Sequence, residues 1–371
     1  MSNLILPWEN PHAPYWLVGD KKIYNHFEAI KTAFVDGGPA YQFVFLDHIY
    51  DQLDWTQEPN ETWEELCIQR AVQLRQKYRK LKLMFTAGRD SGHVWRVFAK
   101  AGIPIDELIL IYTPYHPLRK FEYENYIHPI AEKLCQQHPN TKIRILKLDR
   151  QHFDATLCNS DWLESPTGSM AMMNFSPYRF GEILPTTDPD ALDPTVGYIN
   201  GMEKPRLQLI NNEYVFRHLD FDASYLVFNM PNLEWFYWAP ELPRLHLKQC
   251  WMGVNYLEKK YPNCTPEFVS TFQNPHKGYY DEWCLSVGRG PAMVWECGNG
   301  IQKAPDNYHW SLQSMIKTGK NEKWGGYFEW NSMMQDIKRN WAHCFNDNDP
   351  MKGAIGIWGK PYFMKKQHKE N

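Results

Sequence analysis

The chain has 371 residues, enough for one large core or two moderate ones, and its 43% hydrophobic and 22% charged residues are the proportions of a folded globular protein. Its 40 basic residues against 43 acidic ones give a net charge of −3, which argues against a generally basic nucleic-acid-binding surface. No stretch reaches the ~18 apolar residues that cross a bilayer, mean hydropathy is −0.58, and residues 1–14 lack the basic region and apolar core of a secretory signal, so a cytoplasmic protein is expected.

In chain order, Ile23, Phe27, Ile30 and Phe34 carry helical spacing and stop at Asp36-Gly37-Gly38-Pro39. Phe43-Val44-Phe45-Leu46 reads as a short strand or a buried turn. Thr62 and Glu65 form a capping-box signature, after which Cys67, Ala71, Leu74 and Tyr78 line one helix face. The opposite face carries Arg70, Arg75, Gln76 and Arg79 and reads as solvated. Residues 1–77 are therefore expected to form a helical N-terminal extension.

The next segment alternates. A buried strand over 81–85 precedes a helix over 92–101, with Val94, Val97, Phe98 and Ala101 on its apolar face. A second strand covers 108–112, a helix with Tyr126, Ile130 and Leu134 follows, and a third strand covers 142–148. Short connections between strand, helix and strand imply parallel, right-handed crossovers, so the fold class is α/β with a doubly wound, mostly parallel sheet. Residues 151–195 are rich in Ser, Thr, Pro and Asp, with methionines at 170–173, and Val196-Gly197-Tyr198-Ile199 reads as a fourth core strand. Tyr214-Val215-Phe216 and Tyr225-Leu226-Val227-Phe228 are β-like runs with the spacing of a hairpin. Residues 78–228 are read as the nucleotide-binding domain and 229–371 as an aromatic-rich, mainly helical C-terminal lobe, in which Leu247, Cys250, Val254 and Leu257 mark one helix. Aromatic residues total 15%, with 16 Trp, and suit either a large core or a platform for stacking bases. The 8 cysteines include no CxxC pair and read as reduced thiols. His246 and Cys250, four apart on a helix, would be half a metal site without a second pair.

Between the first strand and its helix lies Thr86-Ala87-Gly88-Arg89-Asp90-Ser91-Gly92. A small-residue turn at a helix N-terminus aims backbone N–H groups and the positive end of the helix dipole at whatever occupies it, a geometry that suits phosphate. The turn is neither GxxxxGK[ST] nor GxGxxG. It resembles the pyrophosphate loop, Ser-Gly-Gly-x-Asp-Ser, of the PP-loop ATP pyrophosphatases, the adenine nucleotide α-hydrolase-like superfamily. That superfamily includes the asparagine synthetase C-terminal domain, tRNA thiolation enzymes and phosphoadenylylsulfate reductases. Thr86 stands at the first Ser, Ala87 and Gly88 at the glycines, Arg89 at the variable site, then Asp90 and Ser91. Ala87 departs from the pattern because it takes φ > 0 less readily than Gly.

The resemblance spans roughly residues 78–206 and implies ATP, carried with Mg²⁺, as cofactor. Gly88 would let the backbone approach phosphate, Thr86 and Ser91 would donate hydroxyls, and Asp90 would cap the helix or orient Mg²⁺. Ile111, Tyr112 and Thr113 fall where the family holds adenine. Gly201, Lys204 and Arg206 match its late loop, the two cations neutralising the departing pyrophosphate; His116, Arg119 and Lys120 are further cations near the same edge. The chemistry implied is cleavage between the α and β phosphates, adenylation of an acceptor, and amide, amine or sulfur transfer. Acceptors consistent with the net charge are a small molecule, a nucleotide or a base, with a partner protein able to supply nitrogen or sulfur; the net charge does not favour a long nucleic acid, and no membrane is involved. The layout also resembles phage-borne members of the group, which would place the chain in host cytoplasm. Two alternatives stand beside this reading. Glu296-Cys297-Gly298 resembles the reductases' Glu-Cys-Gly and would make Cys297 a nucleophile. A fold kept for nucleotide binding or assembly without catalysis is the other.

Overall fold

The computed structural model describes residues 9–25, 28–29, 32–33, 41–114, 117–148, 184, 187–202, 204–219, 232–274, 278–293 and 358–367. Its centre is a five-stranded parallel sheet built from β4 (Lys80–Met84), β5 (Glu107–Tyr112), β6 (Lys142–Lys147), β7 (Val196–Asn200) and β10 (Leu233–Trp235). The spatial order is β10-β7-β4-β5-β6, every pairing parallel. Chain order thus runs outward from β4 to β6 on one side, then returns to β7 and β10 on the other. The reversal lies between β4 and β7, and the crevice beyond the carboxyl ends of those two strands is where doubly wound sheets hold ligands.

The apolar runs explain the strands. Leu81, Leu83, Leu108, Leu110 and Ile199 are fully buried in the main core with the helices, while Met84, Ile109, Val196 and Tyr198 form a second, smaller core, as a parallel sheet covered on both faces requires. Helix α3 (Arg89–Lys100) buries Val94, Val97 and Phe98 and ends at Gly102, whose φ of +67° is left-handed. Helix α2 (Trp63–Lys77) begins with both capping-box bonds, Glu65 N donating to Thr62 Oγ1 (3.2 Å) and Thr62 N to Glu65 Oε2 (2.8 Å). Its face of Cys67, Ala71 and Leu74 is wholly buried. After β5 the chain forms a helix over Pro117–Glu122, a π-helical turn over Tyr123–Ile127 and a helix over His128–Gln137.

Four expectations change. The N-terminal part is not simply helical: β1 (Tyr15–Val18), β2 (Lys21–Ile23) and β3 (Tyr41–Val44) form an antiparallel sheet ordered β2-β1-β3. Ile23 belongs to a strand, while Ala29 and Ala33 are buried helical residues, so the helical spacing from 23 onward spans two different elements. Arg70 is not solvated. It is 1% exposed and its Nη2 donates to Glu234 Oε2 at 2.6 Å, because β10 brings a carboxylate under α2. That strand also corrects the lobe boundary, since Leu233, Glu234 and Trp235 register with Tyr198, Ile199 and Asn200. Finally, Tyr214–Phe216 lies in β9 (Glu213–Phe216), which pairs with β8 (Leu207–Ile210) through Asn211 and Asn212, both at positive φ, and on its other side with β11 (Tyr362–Lys366). The helix expected from Leu247, Cys250, Val254 and Leu257 is α6 (Pro243–Lys260), with all four residues buried. Helices α7 (Pro266–Phe272) and α8 (Tyr280–Ser286) follow. Among the described residues no helix is long and apolar enough to cross a membrane. The methionines at 170–173, the run 225–228, His116 and the Glu296-Cys297-Gly298 motif lie outside the described residues.

Candidate functional site

The small-residue turn leaves β4 at the crevice. Phe85 N makes the last ladder bond, to Ile109 O (2.9 Å). Ala87 then turns the chain at φ +53°, taking up the left-handed conformation despite its Cβ. Gly88 is the helix N-cap and supplies no side-chain cap. The first bond of the helix is Gly92 N to Gly88 O (3.0 Å), so the amides of Arg89, Asp90 and Ser91 have no intrahelical acceptor and lie at the positive end of the helix dipole. Ser91 Oγ accepts from Thr86 N (3.1 Å) and lies 3.2 Å from Thr86 Oγ1, while Gly88 N donates to Thr86 Oγ1 at 3.4 Å. Both hydroxyls therefore hold the turn closed.

The loop after β7 meets this turn. Gly201 is buried against the first turn of α3, and a Cβ there would lie 2.8 Å from Val94 Cγ2 and 3.2 Å from the Asp90 carbonyl oxygen. That contact brings Lys204 Nζ to 2.9 Å from Asp90 Oδ2. On the carboxylate's other side Arg289 Nε lies 2.8 Å from Oδ1 as a second ion pair. Burial raises the Asp90 carboxyl, but Lys204 and then Arg289 outweigh it and hold the group below the ordinary carboxylate range. Burial opposes the Lys204 charge, and Asp90 more than restores it, lifting that ammonium above its ordinary value. Both are ionised at neutral pH.

Arg289 comes from the segment 288–293, which lies across the turn. Arg89 Nη1 donates to Gly290 O (3.0 Å), Arg96 Nη2 to Pro291 O (2.6 Å), and Met293 N to Ala87 O (3.0 Å). Arg89 also pairs with Asp281 at 2.9 Å, so the variable position of the motif clamps the C-terminal part onto the turn. Behind Arg289, His93 Nδ1 lies 2.7 Å from Tyr237 Oη, and burial, with Arg289 and Arg96, pushes that imidazole down to about 3, leaving it neutral.

The other expected residues divide. Thr113 is buried at the end of β5; Tyr112 stacks obliquely on Tyr123 (4.5 Å between ring centres) and its hydroxyl donates to Glu124 (2.8 Å). Ile111 packs on the smaller core beneath the sheet. All three stand at the carboxyl edge, one strand from the turn. Arg206 sits just before β8, its carbonyl accepting from Arg217 N (3.3 Å), and the cations on Asp90 are Lys204 and Arg289 instead. Lys120 is exposed and lies 4.0 Å from Glu124. His246 Nδ1 lies 2.7 Å from Tyr50 Oη, and no group of three His, Cys, Asp or Glu among the described residues could hold a metal. Asp90 has a cation on each oxygen, Lys204 on Oδ2 and Arg289 on Oδ1. Arg289, Tyr237 and His93 escaped the sequence reading. The signal available for Arg289 was Gly288-Arg289-Gly290-Pro291, a breaker cluster around one cation.

A shallow groove of about 180 Å³ between Trp95, Ile103, His138 and Thr141 lies at the opposite, amino edge of the strands, away from these residues. No protein-family model matches the chain, and no curated protein matches it either.

Proposed function

We propose that the chain is an ATP pyrophosphatase-type enzyme that cleaves ATP between its α and β phosphates and adenylates an acceptor. One observation carries the reading: at the strand-order reversal, a cation from the loop after β7, Lys204, reaches the helix N-terminus formed by the turn after β4. The amides of residues 89–91 would receive the polyphosphate, and adenine would lie toward Tyr112 and Thr113. An acceptor oxygen attacks the α-phosphorus, the bridging P–O bond breaks, and pyrophosphate leaves with the electron pair while the acceptor's proton passes to solvent. Lys204 stabilises the charge that grows on the leaving oxygen. A nitrogen or sulfur nucleophile then displaces AMP. Magnesium would arrive on the nucleotide's own oxygens, next to Asp90, which in this structure pairs with Lys204 and Arg289.

The test is α-labelled ATP incubated with purified chain, Mg²⁺ and cell extract as acceptor source. Label should move to AMP or an adenylated product, with pyrophosphate released, and Lys204→Met should slow this by about 100-fold. Failure of the wild-type chain both to bind ATP and to release AMP would end this reading. Binding without turnover would favour a non-catalytic nucleotide-binding protein, a reading supported by the mutual engagement of Thr86 and Ser91 and of Lys204 and Asp90. Cys297→Ser separates a reductase, which would lose all turnover, from an adenylating enzyme, which would keep ATP–pyrophosphate exchange. Cys284, the thiol closest in sequence to Arg289 among the described residues, is 1% exposed and unsuited to attack.

A further inference from the structure

Two cations share Asp90, and they differ in freedom. Arg289 is 0% exposed, with its guanidinium carbon 3.2 Å from the centre of the Tyr237 ring. Tyr237 Oη meets His93 Nδ1 at 2.7 Å, His93 stacks on Trp63 at 5.8 Å, and Trp63 Nε1 donates to Gly288 O at 3.1 Å. That circuit closes on the residue preceding Arg289. Gly288 holds φ +81°, and a Cβ there would lie 2.4 Å from Trp63 Nε1, so the approach is built for glycine. Arg289 N also donates to Cys284 O (2.9 Å), and the neighbouring carbonyls of Gly290 and Pro291 are held by Arg89 and Arg96. Lys204, by contrast, is a single ammonium on a flexible stem, 11% exposed, with Tyr280 as its aromatic neighbour at 5.6 Å.

A polyphosphate entering the turn competes with Asp90 for these cations. Lys204 can swing to it; Arg289 cannot. Once Lys204 leaves, a carboxylate at 28% exposure would lack compensation unless a fixed cation remained beside it. Resting on the nucleotide-binding reading above, we propose that Arg289 is a positioning residue: it keeps Asp90 compensated so that Lys204 can be handed from Asp90 to the phosphates. The site then switches between two pairings of one lysine, and the C-terminal segment 288–293 is what makes the exchange favourable.

Titration of inorganic pyrophosphate into five forms of the full chain tests this: wild type, Arg289→Met, Asp90→Asn, the double variant, and Arg289→Lys. Arg289→Met should weaken binding by about tenfold or more, because Lys204 becomes the sole counter-ion of Asp90. Asp90→Asn in the same chain should restore it to within about threefold of the Asp90→Asn single variant, since no carboxylate then holds the lysine back. Arg289→Lys should fall between wild type and Arg289→Met. A double variant as weak as Arg289→Met would mean that Arg289 touches phosphate directly, and an Arg289→Met chain binding like wild type would mean that it does nothing; either overturns the inference. If Arg289→Met does not fold, Tyr237→Leu, which frees the guanidinium, should show a smaller loss with the same rescue by Asp90→Asn, and no rescue there overturns the inference too. A wild-type chain that binds neither pyrophosphate nor ATP removes the nucleotide reading itself, an outcome distinct from a failed rescue.

Discussion

Ala87 occupies a left-handed conformation that costs an L-residue roughly 1–2 kcal/mol, and the turn keeps it because both ends are tied. Its carbonyl accepts from Met293 N at 3.0 Å, and the next residue caps α3. The motif's departure from glycine therefore leaves the turn's shape intact. Gly288 is a different case: both its φ of +81° and the 2.4 Å approach to Trp63 Nε1 forbid a side chain. Gly288→Ala should destabilise the chain by about 2–4 kcal/mol, the combined scale of left-handed strain and overpacking, as read by chemical denaturation; a loss below about 1 kcal/mol would show that the segment 288–293 is not packed as described. At this scale the sequence reveals what a motif carries and hides what meets it from afar. Lys204 was legible because it follows a glycine after a core strand. Arg289 was not, because its partners Tyr237 and Asp90 are distant in sequence and adjacent only once the sheet has formed.

Elements tell the same story through burial. The runs over β5 and β7 are largely apolar because parallel strands are covered on both faces, and that pattern made the α/β class readable. The antiparallel N-terminal sheet was obscured because a helical repeat of large apolar residues continues straight out of a strand. Inside the β4 run sits a lysine with no solvent. Lys82 is 0% exposed, with Nζ 2.7 Å from Glu107, 2.6 Å from Asp188 and 3.0 Å from Asp190. Lys80 joins through Asp190 (2.6 Å), Arg144 through Glu107 (3.2 Å), and the Tyr198 hydroxyl donates to Asp188 (2.8 Å). Three cations balance three carboxylates, and the segment carrying Asp188 and Asp190 is thereby tied to the sheet beneath β4. Taking one partner from such a network leaves an uncompensated buried charge, so Lys82→Met should cost about 3–5 kcal/mol. Adding Asp188→Asn should return part of that. Equal denaturation midpoints for the wild-type and Lys82→Met chains would show that the network contributes nothing to holding this segment.

Across the molecule, acid is the condition that the buried histidines make dangerous. His218 and His246 pack together (5.6 Å between ring centres) among Tyr50, Phe216 and Trp238, and His93 lies beside Arg289. Burial pushes His246 down to about 3, with Arg289 adding to it, and burial and then His246 push His218 well below the ordinary value. A histidine held neutral in the fold but free to protonate near pH 6.5 when unfolded gives stability that is complete above pH 6.5. That stability is lost as pH falls toward the folded value, by up to about 1.4 kcal/mol per pH unit per group. Asp47 opposes this: burial raises it to about 6, so the fold holds its proton more tightly than the unfolded chain does, and its contribution is lost as pH rises from about 4 to about 6. Three buried histidines outweigh the one carboxyl between about pH 6 and pH 4, so stability falls with acid there by at least about 1 kcal/mol per unit, a noticeable share of the 5–15 kcal/mol typical of a domain. The melting temperature should therefore drop steeply between pH 6.5 and 4.5, and His246→Gln should make the slope shallower while lowering stability at pH 8. Asp47→Asn should raise stability at pH 8, by about 1 kcal/mol once solvent screening is allowed for, and leave it nearly unchanged at pH 4. A melting temperature constant from pH 8 to 4.5 would mean that these imidazoles reach water in the native state. The aromatic packing of Tyr50, Phe216 and Trp238 around His218 and His246 would then be looser than their burial implies.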